Sequence, residues 1–244
     1  MREVLRAIPQ VRRLNYRARR FLRGARGEGD ETEILNDLVA KESAPRTFVE
    51  FGFHPVAFNC AAFAYDPNWQ GLLIDGSADQ VQDAKVLLPK WLDIRNCFIS
   101  LSNLDFIRTK FASLGILSID VDGNDYWFLE QLIGVNPSVI SVEYNASFGP
   151  NSVTVPYDPG FSRLQEHASG WYHGASLTAL AKLCSRTGYG LAAVSAYGAN
   201  AFFTRTGSLD PIAAWQPNRA RDRWSGTTAE DQWEAIKDLP LQAV

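Results

Sequence analysis

Between Gly115 and Asn145 the chain reads GILSIDVDGNDYWFLEQLIGVNPSVISVEYN, two apolar runs that each finish in acids and amides. Asp120, Asp122, Asn124 and Asp125 close the first run; Glu143 and Asn145 close the second. A buried strand does not end in carboxylates without cost unless something pairs with them or binds there. If the two runs are neighbouring strands, about 4.8 Å apart, Asp120 and Glu143 converge on one point. Two like charges that close stay ionised only beside a cation, or else share a proton. The oxygen-only set Asp120, Asp122 and Glu143, with Asp125 and Asn145 as alternates, suits Mg²⁺, Mn²⁺ or Ca²⁺ rather than Zn²⁺. A plainer reading makes Asp122-Gly123 a turn and Asp125 an acid at a helix N-terminus. It leaves Asp120 and Glu143 unexplained. An EF-hand is excluded, because the glycine is out of place and no Glu closes the loop.

Other residues of the right type stand where further strand-like runs end. Glu50, Gly52, Phe53 and His54 close TFVEFG; Asp75, Gly76 and Ser77 close GLLIDG; Ser102 and Asn103 close NCFISLS. Asp75 comes 25 residues after Glu50, close to the spacing at which an acid ending the second strand of a nucleotide-binding unit takes both ribose hydroxyls. A simple strand-ending turn at Asp75-Gly76 is the competing reading. The absence of GxGxxG argues against NAD and FAD. His173, in WYHGAS at a helix start, is a candidate general base beside Asp120 and Glu143. His54 is a cofactor contact or a solvated turn residue, and His167 reads as surface.

The elements that must position these groups follow from hydrophobic pattern. The strand-like runs 47–52, 71–76, 96–102, 115–123 and 138–145 are continuously apolar, as for parallel strands covered on both faces. Helix-length stretches at 56–65, 78–88, 103–112 and 125–134 separate them. That alternation predicts an α/β, doubly wound, mainly parallel Rossmann-like sheet, whose ligands bind outside the carboxyl ends of the strands. Residues 146–172 are loop-like and Tyr-rich. A helix over 175–187 and a C-terminal β-hairpin of 188–196 and 200–206 around Tyr197–Ala199 follow. The Trp- and charge-rich tail from Asp210 gives no clear signal.

An apolar fraction of 46% describes a globular chain. Cys60, Cys97 and Cys184 form no CxxC pair and read as free thiols of a reducing compartment. Net charge is −3, but residues 1–26 hold nine arginines against Glu3, leaving −11 on the rest. We divide the chain into this basic segment, 1–27, and one body, 28–244. Leu5, Ile8, Val11 and Leu14 recur at helical spacing among the arginines, with Phe21 and Leu22 beyond and Pro9 as a break or restart. A helix docked on the body or on a dimer mate is the first reading; a peripheral membrane contact and a disordered arm are the others. Nucleic acid has no support in the body. The expected location is cytoplasmic, with the inner face of the membrane as the place for any such contact.

In combination, GLLIDGS, LSIDVDGNDYW, ISVEYNASFGP, SVTVPYDP, YHGASLTALAKL and GANAFF resemble bacterial proteins related to the FkbM-type S-adenosylmethionine-dependent methyltransferases, over 46–206. The resemblance implies a class I methyltransferase fold and S-adenosyl-L-methionine held by Glu50, Gly52 and Asp75. It also implies methyl transfer to an oxygen of a sugar-containing acceptor such as a glycan or glycolipid. Where relatives carry a small, polar loop, this chain has Phe53-His54-Pro55-Val56-Ala57-Phe58-Asn59. Asp120, Glu143 or His173 would take the proton, and rings among Tyr144, Phe148, Tyr157, Phe161, Trp171 and Tyr172 would stack on the acceptor. Two alternatives stand beside it. Asp120-Val-Asp122 has the DxD form of a metal-dependent glycosyltransferase, and the glycine-poor first loop suits a non-catalytic binding relative.

Overall fold

A computed structural model describes residues 8–244, so Leu5 of the N-terminal apolar set lies outside the described residues. Helix α1 (Pro9–Arg23) starts at Pro9, whose missing N–H is harmless in a first turn, and α2 (Glu31–Lys41) follows. The body then alternates: β1 (Thr47–Phe51), α3 (Ala61–Ala64), β2 (Gln70–Asp75), α4 (Ala78–Leu87), β3 (Asp93–Asn96), α5 (Asp105–Arg108), β4 (Ile116–Ile119), α6 (Asp125–Leu132) and β5 (Val139–Glu143). Beyond it come β6 (Val153–Thr154), α7 (Arg163–Glu166), α8 (Leu177–Ser185), β7 (Gly190–Val194) and β8 (Asn200–Thr204). The tail holds α9 (Pro211–Ala214), α10 (Arg219–Ser225), α11 (Ala229–Ile236) and β9 (Gln242–Ala243).

Seven strands form one sheet in the order β3-β2-β1-β4-β5-β8-β7. The first five are parallel, and β8 runs antiparallel to both β5 and β7. Strand order reverses between β1 and β4, so the crevice opens over their carboxyl ends. Both faces are covered. Val49, Phe51, Leu72, Ile74, Leu117, Ile119, Ile140 and Val142 pack against α6 and α8, while Phe48, Leu73, Ile116, Val139 and Phe202 pack against α2 and α4. Two-sided burial is why these strands are apolar on both faces rather than at alternate positions, with Glu50, Ser118 and Ser141 as buried polar exceptions.

Three expected elements differ. The third strand is Asp93–Asn96, not 96–102. As an edge strand it carries polar side chains, Asp93 bonding Arg95 and Lys110, and the apolar run after it leaves the sheet as a loop. The helix expected at 56–65 is a single turn, Ala61–Ala64, and that at 103–112 shortens to Asp105–Arg108. The tail that gave no signal folds into helices with capped starts: Asp210 accepts from Ala213 N, Asn218 from Arg221 N, and Thr228 with Asp231 forms a capping box. No helix among the described residues is long and apolar enough to cross a membrane.

Candidate functional site

Two cavities adjoin over the strand ends and share Gly52, His54, Asp120 and Asp122 in their walls. The first, about 540 Å³, lies over β1 and β2. Gly52 has φ +81°, and a Cβ there would stand 1.4 Å from the Asp120 carbonyl oxygen, so only glycine lets the turn cross β4 this closely. Asp75 accepts from Ser77 N (2.7 Å) through Oδ1, and half-burial raises its pKa. Gly76 and Ser77 are in the wall with it, as is Gln80, whose buried Oε1 has no partner among the described residues. Asn96 ties this turn down, donating to the carbonyls of Asp75 and Gly76. Phe53 and His54 also line the cavity, with His54 Nδ1 accepting from Val56 N (3.2 Å). Asn103 is not in the wall. Its amide folds the loop after β3, accepting from Ser100 N and donating to Phe98 O, and Cys97, Phe98 and Ile99 of that loop face the cavity instead.

Glu50 is buried behind these residues, accepting from the backbone of Asn59 and Cys60 at 2.8 Å each. It therefore fastens the loop 52–60 and opens onto the second cavity rather than the first. Burial pushes its pKa up to about 7.

The second cavity, about 720 Å³, lies over β4 and β5. Ile119 pairs with Val142 in register, so Asp120 and Glu143 do leave adjacent strands side by side. Asp125 is spent on structure: its carboxylate accepts from Val121 N and Gly123 N, both 2.9 Å, and closes the turn before α6. Asn145 is structural too. Its amide donates to the carbonyls of Trp171 and His173 and its Oδ1 accepts from Ser147 N and Arg221, pinning the incoming segment to β5.

Arg221, from α10, is the central residue that sequence reasoning passed over. It is 8% exposed and donates to Asn145 Oδ1 (2.7 Å), Ser147 Oγ (2.8 Å) and His173 Nε2 (2.8 Å). Arginine has only donors, so His173 Nε2 must accept and its proton must sit on Nδ1. Burial together with Arg221 and Arg163 holds the His173 pKa well below its ordinary value. His173 is a neutral imidazole presenting an N–H, not the free base expected of it. Its Nδ1 lies 3.8 Å from Glu143 Oε2, too far for a hydrogen bond.

Glu143 Oε2, His173 Nδ1, Arg221 Nε, Trp171 Nε1 and Asn200 Oδ1 are buried without a partner among the described residues. Glu143, Arg221, Trp171 and Asn200 are all in the wall of the second cavity. Burial, then Asp122 and Asp125, raise the Glu143 pKa to about 8, against the pull of Arg163 and Arg221. Burial, then Glu143, Asp125 and Asp122, hold Asp120 well above the carboxylate range, and burial takes Asp125 to about 6.

The donors that gather for a metal are Asp122, Glu143 and His173, within 4.8 Å of one another, and not the expected Asp120, Asp122 and Glu143. They do not suit a resident cation. Arg163 Nη1 already takes Asp122 (2.6 Å), and His173 can offer a lone pair at Nδ1 only by turning an N–H against Arg221. The cations facing this acid cluster are two arginines from later in the chain.

Of the aromatic residues after β5, Tyr144, Phe148 and Tyr172 are core, Tyr157 accepts from Leu101 N, and Phe161 and Trp171 reach the cavities. Trp224 and Tyr197, both exposed, stand in the wall of the second cavity and carry no motif.

No family model matches the chain, and no curated protein matches it in sequence. Solved structures do. An O-methyltransferase from Bacillus cereus in complex with SAH is 16% identical, covering 82% of this chain and 94% of its own, with a TM-score of 0.51. The N-terminal domain of EvdMO1 with SAH and D-fucose is 13% identical over 79% and 95%, with a TM-score of 0.47. The O-methyltransferase TomG from Streptomyces achromogenes with SAM is 14% identical over 71% and 77%, with a TM-score of 0.44. The first of these shows the fold: this is the Rossmann-like α/β fold of class I methyltransferases.

Proposed function

We propose that the chain is an S-adenosylmethionine-dependent O-methyltransferase acting on a hydroxyl of a sugar-containing acceptor. The observation that carries this reading is the pair of adjoining cavities with different walls: Asp75, Gly76 and Ser77 in one, the open Glu143 carboxyl in the other. The first cavity fits the cofactor. Its volume lies within the roughly 300–1,000 Å³ of small-ligand sites. Gly52 brings backbone to the wall, and Asp75 keeps one oxygen beyond the Ser77 bond for a ribose hydroxyl. Gly76, Ser77, Phe98 and Ile99 complete the set that would hold it, with Phe53 and His54 beside them. When bound, S-adenosylmethionine supplies a methyl group already activated on a sulfonium.

The chain's own task is then to orient a hydroxyl and take its proton. Glu143 suits the second part. A carboxyl with a pKa of about 8 is a stronger base than an ordinary carboxylate and remains partly ionised near neutrality. His173, fixed by Arg221 as an Nδ1–H donor, and Asp120, whose carboxyl burial and neighbouring acids hold well above its ordinary range, orient oxygens around it. The unpartnered groups are both donors (His173, Arg221, Trp171) and acceptors (Glu143, Asn200), which is what a polyol needs. Trp224 and Tyr197 offer exposed ring faces for a sugar. No step needs a metal.

Calorimetry with S-adenosylmethionine, SAH and UDP-sugars tests the reading, followed by transfer of labelled methyl to hydroxylated sugar acceptors. Binding of the first two, weakened about 10–100-fold by Asp75→Ala, is the expected result. Heat with UDP-sugars alone would move the chain to the glycosyltransferases, and heat with none would make it a binding protein.

A further inference from the structure

Helix α1 is mounted the wrong way round for a soluble protein. Its docked face is polar: Arg12 and Arg13 both bond the buried Asp83, Tyr16 lies edge-on to His54, and Arg20 donates to Val56 O (3.0 Å) and stacks 4.2 Å from the Tyr65 ring centroid. Successive residues of a helix turn by about 100°, which sets Val11, Leu14, Ala18, Phe21 and Leu22 on the side opposite Arg12, Arg13, Tyr16 and Arg20. That outer stripe is bare. Val11 is 40% exposed, Leu14 68%, Phe21 89% and Leu22 83%. The same turn puts exposed Arg17 and Arg19 at the two edges of the stripe. In an ordinary amphipathic surface helix the apolar stripe faces the core. Here ion pairs hold the helix on the body and present the stripe to the outside.

We infer that the outer face of α1 docks on an anionic lipid bilayer, with Val11, Leu14, Phe21 and Leu22 entering the headgroup–acyl boundary. Charge selects this occupant. Residues 1–26 carry nine arginines against one glutamate, while the rest of the chain is −11. The acidic body is repelled by an anionic surface and the leader is drawn to it, so the molecule approaches helix first. An apolar stripe edged by arginines is the pattern of helices that lie in a membrane interface, where the long side chains reach back to headgroups. A second copy is the other way to cover the stripe, but a two-fold contact would set two such arginine-rich helices against each other. The orientation also has a consequence for the large cavity. Arg23, at the end of α1, and Trp224, 84% exposed, are both in its wall, so a bound helix brings that opening towards the lipid surface.

The test is flotation of the full chain with vesicles of phosphatidylcholine alone and of phosphatidylcholine with phosphatidylglycerol. Wild type floats with the anionic vesicles and not with the neutral ones, and salt weakens the association. Leu14→Glu/Phe21→Glu/Leu22→Glu lowers partitioning by about tenfold or more, and Arg17→Glu/Arg19→Glu weakens binding to the anionic vesicles. Both keep the wild-type circular dichroism spectrum, since all five side chains are exposed and none bonds the body among the described residues. The inference is overturned if wild type fails to float with either vesicle, or if the triple variant floats as well as wild type. Light scattering that shows a dimer lost in the triple variant, without vesicle binding, would also overturn it and give the stripe to a second copy.

Discussion

The cavity over β1 and β2 is walled by residues that come directly after strands, in short sequence-local turns: Gly52 to His54, Asp75 to Ser77, Cys97 to Ile99. The cavity over β4 and β5 takes Asp120, Asp122 and Glu143 from strand ends, but Arg163, Trp171, Asn200, Arg221 and Trp224 come from far along the chain and Arg23, Glu28 and Glu31 from before the sheet. In the first, Asp75 stands apart from the shared Asp120 and Asp122, among backbone and apolar walls. In the second, Asp120, Asp122 and Glu143 crowd together and are answered by Arg163 and Arg221. A ligand common to many relatives of a fold can be met by strand-end turns, because the sheet places them. A ligand peculiar to one chain needs side chains recruited from insertions and tails.

If the two cavities divide the work, they must fail separately. The largest effect is expected from Glu143→Gln, which removes the base and leaves the shape. Methyl transfer falls by about 10²–10⁴-fold, and S-adenosylmethionine affinity measured by calorimetry is unchanged. A loss of cofactor affinity in this variant would break the division. Asp75→Ala is the reverse case. Losing hydrogen bonds to a charged acceptor, worth about 1.5–3 kcal/mol, weakens cofactor binding by about 10–100-fold. Transfer recovers when the cofactor is made saturating. If transfer stays low at saturation, Asp75 acts on the reaction and not only on binding.

Arg221 tests whether the second cavity is a built device. Lysine keeps the charge but cannot reach Asn145, Ser147 and His173 together from one flat fork. In Arg221→Lys, His173 loses the donor that fixes its tautomer. Nitrogen NMR then shows the proton shared between Nδ1 and Nε2, where wild type shows it on Nδ1. kcat falls by about tenfold, as when one positioned hydrogen bond is lost. A single Nδ1–H signal in the variant would mean that something other than Arg221 sets the ring.

These residues also mark where sequence reading ends. β1, β2, β4 and β5 were legible because two-sided burial writes itself as continuous apolar runs, and Asp120 and Glu143 as neighbours followed from strand spacing. β3 was not, because an edge strand such as Asp93–Asn96 stays polar. Asp75 and Gly52 were legible as strand-end residues; Asn103 is not one, because β3 stops at Asn96, before the apolar run. The carboxylate cluster was read as a site for a divalent metal ion, but arginines from later in the chain face it, and nothing local named them. Asn218 gives a helix cap in the tail, yet no pattern says that the arginine three residues on, Arg221, turns inward to His173. Caps are local chemistry, and long-range pairing is not.

The smallest effect is a shift in stability, and its sign separates a catalytic Glu143 from a structural one. Its pKa is about 8 in the folded chain against an ordinary 4.5, so the folded state holds the proton more tightly than the unfolded state. The stability this provides is full below the ordinary value and is lost as pH rises through about 8. Glutamine never ionises. Glu143→Gln should therefore melt close to wild type at pH 5 and above it at pH 9, by roughly the 2–4 °C that each kcal/mol brings in a chain of this size. Activity of the wild type should move the opposite way, rising through about pH 8 as the base loses its proton. A carboxyl kept for structure would be partnered and would destabilise the fold when replaced. One kept for reaction stands unpartnered, as Glu143 Oε2 does, and the fold is more stable in alkali without it. Melting curves of the two proteins across that pH range decide between them, and a variant less stable at pH 9 would return Glu143 to the scaffold.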